Sequence, residues 1–249
     1  MLQVDDLAAM IDHSIIDPNH TEEDMLRGID LAVSYRTGRF TTQPCRVKTA
    51  RKRLEGSGVA LQTYVGFPHG NDLTATKLVQ ARQAIEDGVD ELDMVINISA
   101  FLSGDTALVE DDVRAVVELA RPHGVTVKGI IECYYLTRPQ RLAAARLVEA
   151  AGAAFVKTST GQRPDRQAEI AEDVRAMRAV LRPETTVKAS GGCFDLDAIL
   201  LYHERGARRF GASETAKILE DLRARIAGDE PSGEAPARNA AAPALARAY

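Results

Sequence analysis

The feature that most constrains the fold of this chain is an alternation of short β-branched runs with longer helical stretches, repeated eight times over 249 residues. In the helical stretches apolar residues recur at three- and four-residue spacing, as at Val109, Val113 and Val116. Strict strand–helix alternation predicts parallel strands joined by right-handed crossovers. The predicted strands lie at 11–16, 39–42, 60–67, 91–97, 126–132, 155–160, 185–190 and 208–213.

Eight such units favour a closed barrel over an open doubly wound sheet. No strand is followed by a GxGxxG motif that would indicate a dinucleotide site. We therefore predict an α/β protein with a single (β/α)₈ TIM barrel over residues 1–227. The segment 228–249 is rich in Ala and Pro, has few large apolar residues and ends in Tyr249, so we expect a mobile tail there.

Composition and charge bear on partners and location. The chain has 31 basic and 36 acidic residues, for a net charge of −5, which gives no basic surface for nucleic acid or anionic membrane. Its first residues are acidic where a secretory signal is basic, and no apolar run approaches the roughly 18 residues of a membrane span. The three cysteines are far apart, without a CxxC pair, and predict neither a zinc site nor a disulfide framework. We expect a cytoplasmic protein that acts on a small molecule and binds neither nucleic acid nor membrane.

Two consecutive predicted strands carry nearly the same string, VKTSTG at 156–161 and VKASGG at 187–192. Neighbouring strands lie about 4.8 Å apart, so a shared register places Lys157 and Lys188 in one pocket. Burial and a like-charged neighbour both lower the pKa of a lysine. A neutral amine beside a second cation is what Schiff-base catalysis on a carbonyl requires. The alternative is that both lysines pair with surface acids.

Acidic residues on predicted buried strands raise a related question. Asp93 stands between Leu92 and Met94, where an unpaired carboxylate is rarely tolerated, and Asp12 lies on the first strand. Each is interpreted either as a structural ion-pair partner or as a proton-transfer group. Lys128 and Glu132 share one face of the fifth strand, which predicts an internal ion pair between them.

Seven short motifs follow one another between roughly residue 11 and residue 220: DHS at 12–14, GFPHGN at 66–71, LDMVIN at 92–97, IIE at 130–132, FVKTSTG at 155–161, VKASGG at 187–192 and RFGAS at 209–213. In this order they resemble deoxyribose-phosphate aldolase. The resemblance implies a class I aldolase, a carbon–carbon lyase that reversibly cleaves 2-deoxyribose 5-phosphate to acetaldehyde and glyceraldehyde 3-phosphate. It also implies a homodimer that needs no metal or organic cofactor.

The resemblance also implies roles for individual residues. Lys157 is similar to the lysine that forms the Schiff base, and Lys188 to the lysine that lowers its pKa. Asp93 resembles the acid/base that moves protons through an ordered water, with Asp12 and Ser14 in a supporting relay. Tyr249 resembles the terminal tyrosine that some members use for proton transfer; the alternative is that it is an incidental part of the tail.

At the phosphate end, the resemblance implies binding by backbone amides of glycine-rich loops and by serines. Gln162, Phe194 and Glu214 depart from the basic or hydroxyl residues common in relatives, and a carboxylate beside a phosphate costs on the order of 1 to 4 kcal/mol. We therefore hypothesise an unphosphorylated or otherwise altered aldehyde acceptor as an alternative substrate. The residues that keep the family's pattern are Gly161, Gly191, Gly192, Gly211 and Ser213.

Other interpretations of this end stay open. Arg163, Arg208 or Arg209 could compensate by turning inward, and Glu214 could cap the following helix. Thr41 borders the acceptor side in the comparison.

Tyr134 and Tyr135 put bulk where smaller residues are usual in that comparison, and together with the change at Thr41 they indicate altered substrate recognition.

Two rival functions stay open. One is a barrel that binds a metabolite without catalysis; it is disfavoured because two buried lysines would cost stability without serving a reaction. A phosphosugar isomerase on the same fold predicts no imine.

Overall fold

Eight parallel strands follow one another around a closed barrel in chain order, within the part of the chain that the structure describes. The structure is a computed structural model and describes residues 2–161 and 167–229. The last strand pairs in parallel with the first, so the predicted TIM barrel is confirmed. The strands are β1 (Ile11–Ile15), β2 (Arg39–Thr42), β3 (Ala60–Val65), β4 (Glu91–Val95), β5 (Thr126–Ile130), β6 (Phe155–Lys157), β7 (Thr186–Ser190) and β8 (Arg209–Ala212).

Helices surround the barrel and connect its strands. None of them, over the described residues, is both long and apolar enough to cross a membrane. They are α1 (Val4–Ala9), α2 (Glu22–Ser34), α3 (Val47–Leu54), α4 (Thr74–Glu86), α5 (Ile98–Leu102), α6 (Thr106–Ala120), α7 (Arg138–Ala150), α8 (Gln167–Val180), α9 (Leu196–Glu204) and α10 (Thr215–Ala227). The tail predicted for 228–249 lies outside the described residues from position 230 onward.

Several strands end two or three residues earlier than predicted. The segments 60–67, 91–97, 126–132 and 155–160 leave the sheet at Val65, Val95, Ile130 and Lys157. At these points the backbone turns out of the barrel wall into the loops over its C-terminal mouth, with Gly66 at φ 63° and Glu132 at φ 47°. The polar residues that follow each strand therefore form the mouth rather than the wall.

The apolar core lies between the barrel and the helices. Ile15 and Phe40 pack against α2 at Gly28, where a Cβ atom would come within 2.5 Å of Ile15. Gly129 on β5 has the same role opposite α7, since a Cβ there would lie 2.4 Å from Val148. These glycines let helix and strand approach closely, and the apolar side chains of the strands point outward.

The inside of the barrel is largely charged, with the Phe155 ring packed against Lys128 and Arg209. TIM barrels are usually filled with layers of Val, Ile and Leu. Here ion pairs cross the interior, joining β2 to β4 and β5 to both β1 and β4. The residues involved are Asp12, Arg39, Glu91, Asp93, Lys128, Lys157, Lys188 and Arg209.

A buried ion pair outside the barrel fixes the end of β4, the strand that carries Asp93. The Lys77 Nζ atom donates to the carbonyl oxygen of Val95 at 3.0 Å and lies 2.5 Å from Asp112 Oδ2. The Lys77 side chain is fully buried and that of Asp112 is 2% exposed. The pair ties α4 and α6 to the C-terminal end of this strand.

We expect Lys77→Met to destabilise the protein by about 3 to 5 kcal/mol, because it leaves the Asp112 carboxylate buried without its cation. Equilibrium unfolding in urea measures the change. The double variant Lys77→Met/Asp112→Leu removes both charges and should recover most of the loss. If Lys77→Met lowers the free energy of unfolding by less than about 1 kcal/mol, this account of the pair is contradicted.

Candidate active site

Asp93 is the point at which three lysines meet inside the barrel. Its Oδ2 atom lies 2.7 Å from Lys157 Nζ and 2.8 Å from Lys188 Nζ, and its Oδ1 atom lies 3.1 Å from Lys128 Nζ. The Asp93 side chain is 1% exposed. The sequence analysis left an ion pair open for this carboxylate, and the structure places three lysines against it.

Lys157 and Lys188 sit side by side, as their matched strings predict. Their Cα atoms are register partners on β6 and β7, and both side chains are buried. Among the described residues, neither pairs with a surface acid. Instead they share one oxygen of Asp93, so the two ammonium groups occupy one pocket.

Asp12 supports Lys188 from the opposite side. Its Oδ2 atom is 2.5 Å from Lys188 Nζ, and its Oδ1 atom is 3.3 Å from a guanidinium nitrogen of Arg209. Ser14, two residues further along β1, donates its hydroxyl to the Asp12 carbonyl oxygen at 3.0 Å. Lys188 therefore has two carboxylate partners, whereas Lys157 has one among the residues described.

The predicted ion pair between Lys128 and Glu132 is wrong. Lys128 bonds to Gln62, Glu91 and Asp93. Strand β5 ends at Ile130, so the alternation of faces stops before Glu132, whose backbone is left-handed. The Glu132 carboxylate instead accepts the backbone N–H of Thr160 at 2.9 Å.

Sequence reasoning did not find the ion pairs that Arg39 and Arg209 make with Glu91. Arg39 Nε lies 2.6 Å from Glu91 Oε1, and Arg209 NH1 lies 3.9 Å from the same oxygen. A charged residue at inward positions of successive strands was the available signal. Among the described residues, the interior then holds five cations, Arg39, Lys128, Lys157, Lys188 and Arg209, against three carboxylates, Asp12, Glu91 and Asp93.

This excess of positive charge sets the protonation of the site. Burial opposes the ionisation of Asp93, but the charges of Lys128, Lys157 and Lys188 outweigh it and hold its pKa well below the usual range. Burial alone would lower the pKa of Lys188, but Asp12 and Asp93 raise it.

Lys157 behaves in the opposite way. Burial lowers its pKa to about 8; Asp93 opposes this shift, and the charges of Lys188 and Lys128 add to it. The pKa values of the two neighbouring lysines thus shift in opposite directions. Lys188 stays protonated, and Lys157 can supply a neutral amine near neutral pH.

A cavity of about 900 Å³ opens at the C-terminal mouth of the barrel, and Lys157, Asp93 and Ser14 line it. The predicted recognition residues within the described chain line it too. Gln162 and Tyr249 lie outside the described residues. The lining includes Thr41, Gly161, Gly191, Gly192, Phe194, Gly211, Ser213 and Glu214.

Two of the predicted phosphate partners lie elsewhere. Arg209 does turn inward, but it binds Asp12 inside the barrel and does not line the cavity. Arg208 donates to the carbonyl oxygens of His203 and Ala207.

The predicted cap at Glu214 is not formed. Glu214 precedes α10, but its side chain makes no capping hydrogen bond and lines the cavity instead. Arg163 lies outside the described residues.

The acceptor side also differs in part from expectation. Thr41 is buried at the cavity wall and accepts a hydrogen bond from Gln62 Nε2 at 3.1 Å. Tyr134 and Tyr135 pack edge to face on each other, with ring centroids 5.2 Å apart, and neither lines the cavity. The predicted bulk therefore lies outside the described lining of the cavity.

Comparison with known proteins agrees with this geometry. Residues 6–211 match the model of the DeoC/LacD family aldolases. The chain belongs to this family. It is therefore an aldolase, a carbon–carbon lyase.

Individual relatives cover nearly the whole barrel. The chain is 42% identical to deoxyribose-phosphate aldolase from Thermococcus gammatolerans over 88% of this chain and 97% of the relative. It is 38% identical to the enzyme of the same name from Rhodopirellula baltica, over 90% and 92%. The tetrameric deoxyribose phosphate aldolase from Aeropyrum pernix has a similar structure, with a TM-score of 0.82 and 30% identity over 90% and 94%.

The pKa of about 8 predicts the reactivity of Lys157. We expect its labelling by a small amine-selective reagent to rise as the pH increases through about 8 and then to level off, because only the neutral amine reacts. Peptide mapping by mass spectrometry measures the labelled fraction, with the exposed Lys52 as an internal reference. Labelling of Lys157 that starts only near the ordinary lysine pKa of about 10.4 would contradict the charge balance described here.

Proposed function

We propose that this chain is a class I aldolase that reversibly cleaves 2-deoxyribose 5-phosphate to acetaldehyde and glyceraldehyde 3-phosphate. The observation that carries the proposal is Lys157, a buried lysine of lowered pKa at the base of an open cavity, 2.7 Å from Asp93 and beside Lys188. The names of the relatives support the substrate.

The first step in the cleavage direction is attack of the neutral Lys157 Nζ on the aldehyde carbon of the open-chain sugar. A carbinolamine forms, and loss of water then gives a protonated imine. Lys188 is charged before this step and lies 2.8 Å from the same Asp93 oxygen that faces Lys157, so it can donate the proton that leaves with the hydroxyl group and then recover a proton from Asp93. Asp93 accepts the proton released by the attacking amine.

Carbon–carbon cleavage then uses the imine as an electron sink. A base removes the proton of the C3 hydroxyl, the C2–C3 bond breaks, and its electron pair forms an enamine on Lys157. The three-carbon fragment, C3 to C5 of the sugar, leaves as glyceraldehyde 3-phosphate. Protonation of the enamine carbon and hydrolysis of the imine release acetaldehyde and restore Lys157. Asp93 lies close enough to Lys157 and Lys188 for these proton transfers, and Asp12 orients Lys188. Ser14 lines the cavity, where its hydroxyl can take part in a supporting relay.

An oligomeric assembly is also part of the proposal, because the Aeropyrum pernix relative is tetrameric. The homodimer and the cytoplasmic location stay predictions, as does the role of Tyr249.

We expect acetaldehyde and sodium borohydride to attach an ethyl group to Lys157, because reduction traps the imine irreversibly. Intact mass and peptide mapping locate the adduct. Lys157→Arg should abolish it. Lys217→Met is the matched control, because Lys217 lines the same cavity but binds Asp221 and is expected to leave the adduct intact. The absence of any adduct in the wild-type protein would instead favour a binding barrel or an isomerase.

A second candidate substrate is an unphosphorylated aldehyde acceptor with the same Schiff-base chemistry. The position of Glu214 at the cavity wall favours it, because a carboxylate there repels a phosphate group. Phe194, which is 37% exposed at the same wall, adds apolar surface.

Comparison of kcat/KM for 2-deoxyribose 5-phosphate and 2-deoxyribose, measured as acetaldehyde released, separates the two candidates. If Glu214 opposes phosphate, Glu214→Ser should raise kcat/KM for the phosphate ester about tenfold or more and leave the value for 2-deoxyribose nearly unchanged. A wild-type protein that already prefers the ester strongly, with no gain in the variant, would favour the first candidate.

A further inference from the structure

Glu132 has a backbone conformation that side chains rarely adopt. Arg36 and Glu132 are the non-glycine residues with positive φ in the described chain, at 52° and 47°. A left-handed conformation costs a non-glycine residue roughly 1 to 2 kcal/mol. Arg36 follows a helix end at the surface, whereas Glu132 is buried, with 6% of its surface exposed. Strain of this kind is kept where the surrounding structure enforces it, often at functional sites.

The contacts of Glu132 show what the strained turn does. Its carboxylate Oε2 accepts the backbone N–H of Thr160 at 2.9 Å in a buried environment. On either side, Ile131 N donates to the Lys157 carbonyl oxygen at 3.0 Å, and Cys133 N donates to the Thr158 carbonyl oxygen at 2.8 Å. Three consecutive residues after β5 thus hold the backbone of the loop that follows Lys157.

The same loop is held from the other side by β7. The Thr158 hydroxyl donates to the Ser190 carbonyl oxygen at 3.1 Å and accepts from Ser190 N at 3.0 Å. Ser159 Oγ donates to that carbonyl oxygen at 2.5 Å. The result is that Gly161, at φ 88°, faces Gly191, at φ 85°, where the two glycine loops line the cavity.

We propose that Glu132 is a positioning residue for the phosphate end of the site. By accepting the Thr160 amide, it holds the loop 158–161 in the shape in which Gly161 and Gly191 line one wall of the cavity. Backbone N–H groups in such glycine loops form concave sites for anions. The inference rests on the proposed function and adds to it a residue that does not itself line the cavity.

Glu132→Ala and Glu132→Asp test this role. The first removes the carboxylate, and the second keeps the charge but shortens its reach. We expect both to lower kcat/KM for 2-deoxyribose 5-phosphate about tenfold or more, mainly through KM, and to change the value for 2-deoxyribose by less than about threefold. Glu132→Gln retains an oxygen acceptor for the Thr160 amide and should restore most of the phosphate preference.

Asp112→Asn is the matched control. Asp112 is another buried acid, and it pairs with Lys77 between α4 and α6, away from the turn at Glu132. It should lower the melting temperature and leave the ratio between the two substrates unchanged. A Glu132 variant in which the loop 158–161 is no longer held should differ from this control in the ratio of kcat/KM for the two substrates, and not only in stability.

The outcomes separate the inference from the proposed function. Equal losses on both substrates in Glu132→Ala and Glu132→Asp would overturn the positioning role, as would a full loss of preference in Glu132→Gln. Borohydride trapping with acetaldehyde is run on the same preparations. A wild-type protein without a Lys157 adduct would overturn the proposed function itself, and with it the role of Glu132.

Discussion

Asp93 stands where three ammonium groups meet, and burying those groups without it would cost several kcal/mol each. Its carboxylate accepts from lysines on three successive strands, β5, β6 and β7. The interior of the barrel is built around this contact. The apolar core is displaced to the outer faces of the strands, and the usual filling of branched aliphatic side chains is replaced by charge.

The balance of that charge is uneven, and the unevenness has a chemical consequence. Within the described residues, five cations share three carboxylates, so full protonation of every lysine is unfavourable. Lys188, between Asp12 and Asp93, keeps its proton. In the described part of the chain, Lys157 pairs with Asp93 alone and faces the cavity, so it is the lysine whose pKa falls. Geometry thus distinguishes two residues whose local sequences are nearly the same.

The sequence predicted the parts of this arrangement that depend on local pattern. The strings around Lys157 and Lys188 are equivalent, and equivalent strings on neighbouring parallel strands share a register. The predicted ion pair between Lys128 and Glu132 is wrong because that prediction assumed a longer strand. Strand β5 ends at Ile130, and the chain turns at Glu132. A strand end depends on the loops packed above it, and these are distant in sequence.

The sequence by itself determined the eight-stranded barrel, the pairing of the two lysine strands and the presence of an acid that needed a cation, because periodicity and motif spacing encode these features directly. Only the tertiary structure decided which cation shares which carboxylate. Asp93 lies 64 residues from Lys157 and 95 from Lys188 along the chain, and Arg209 reaches Asp12 across the closing β8–β1 seam. The energy of an ion pair depends on the distance between side-chain atoms and on their burial, and both are set only when the barrel closes.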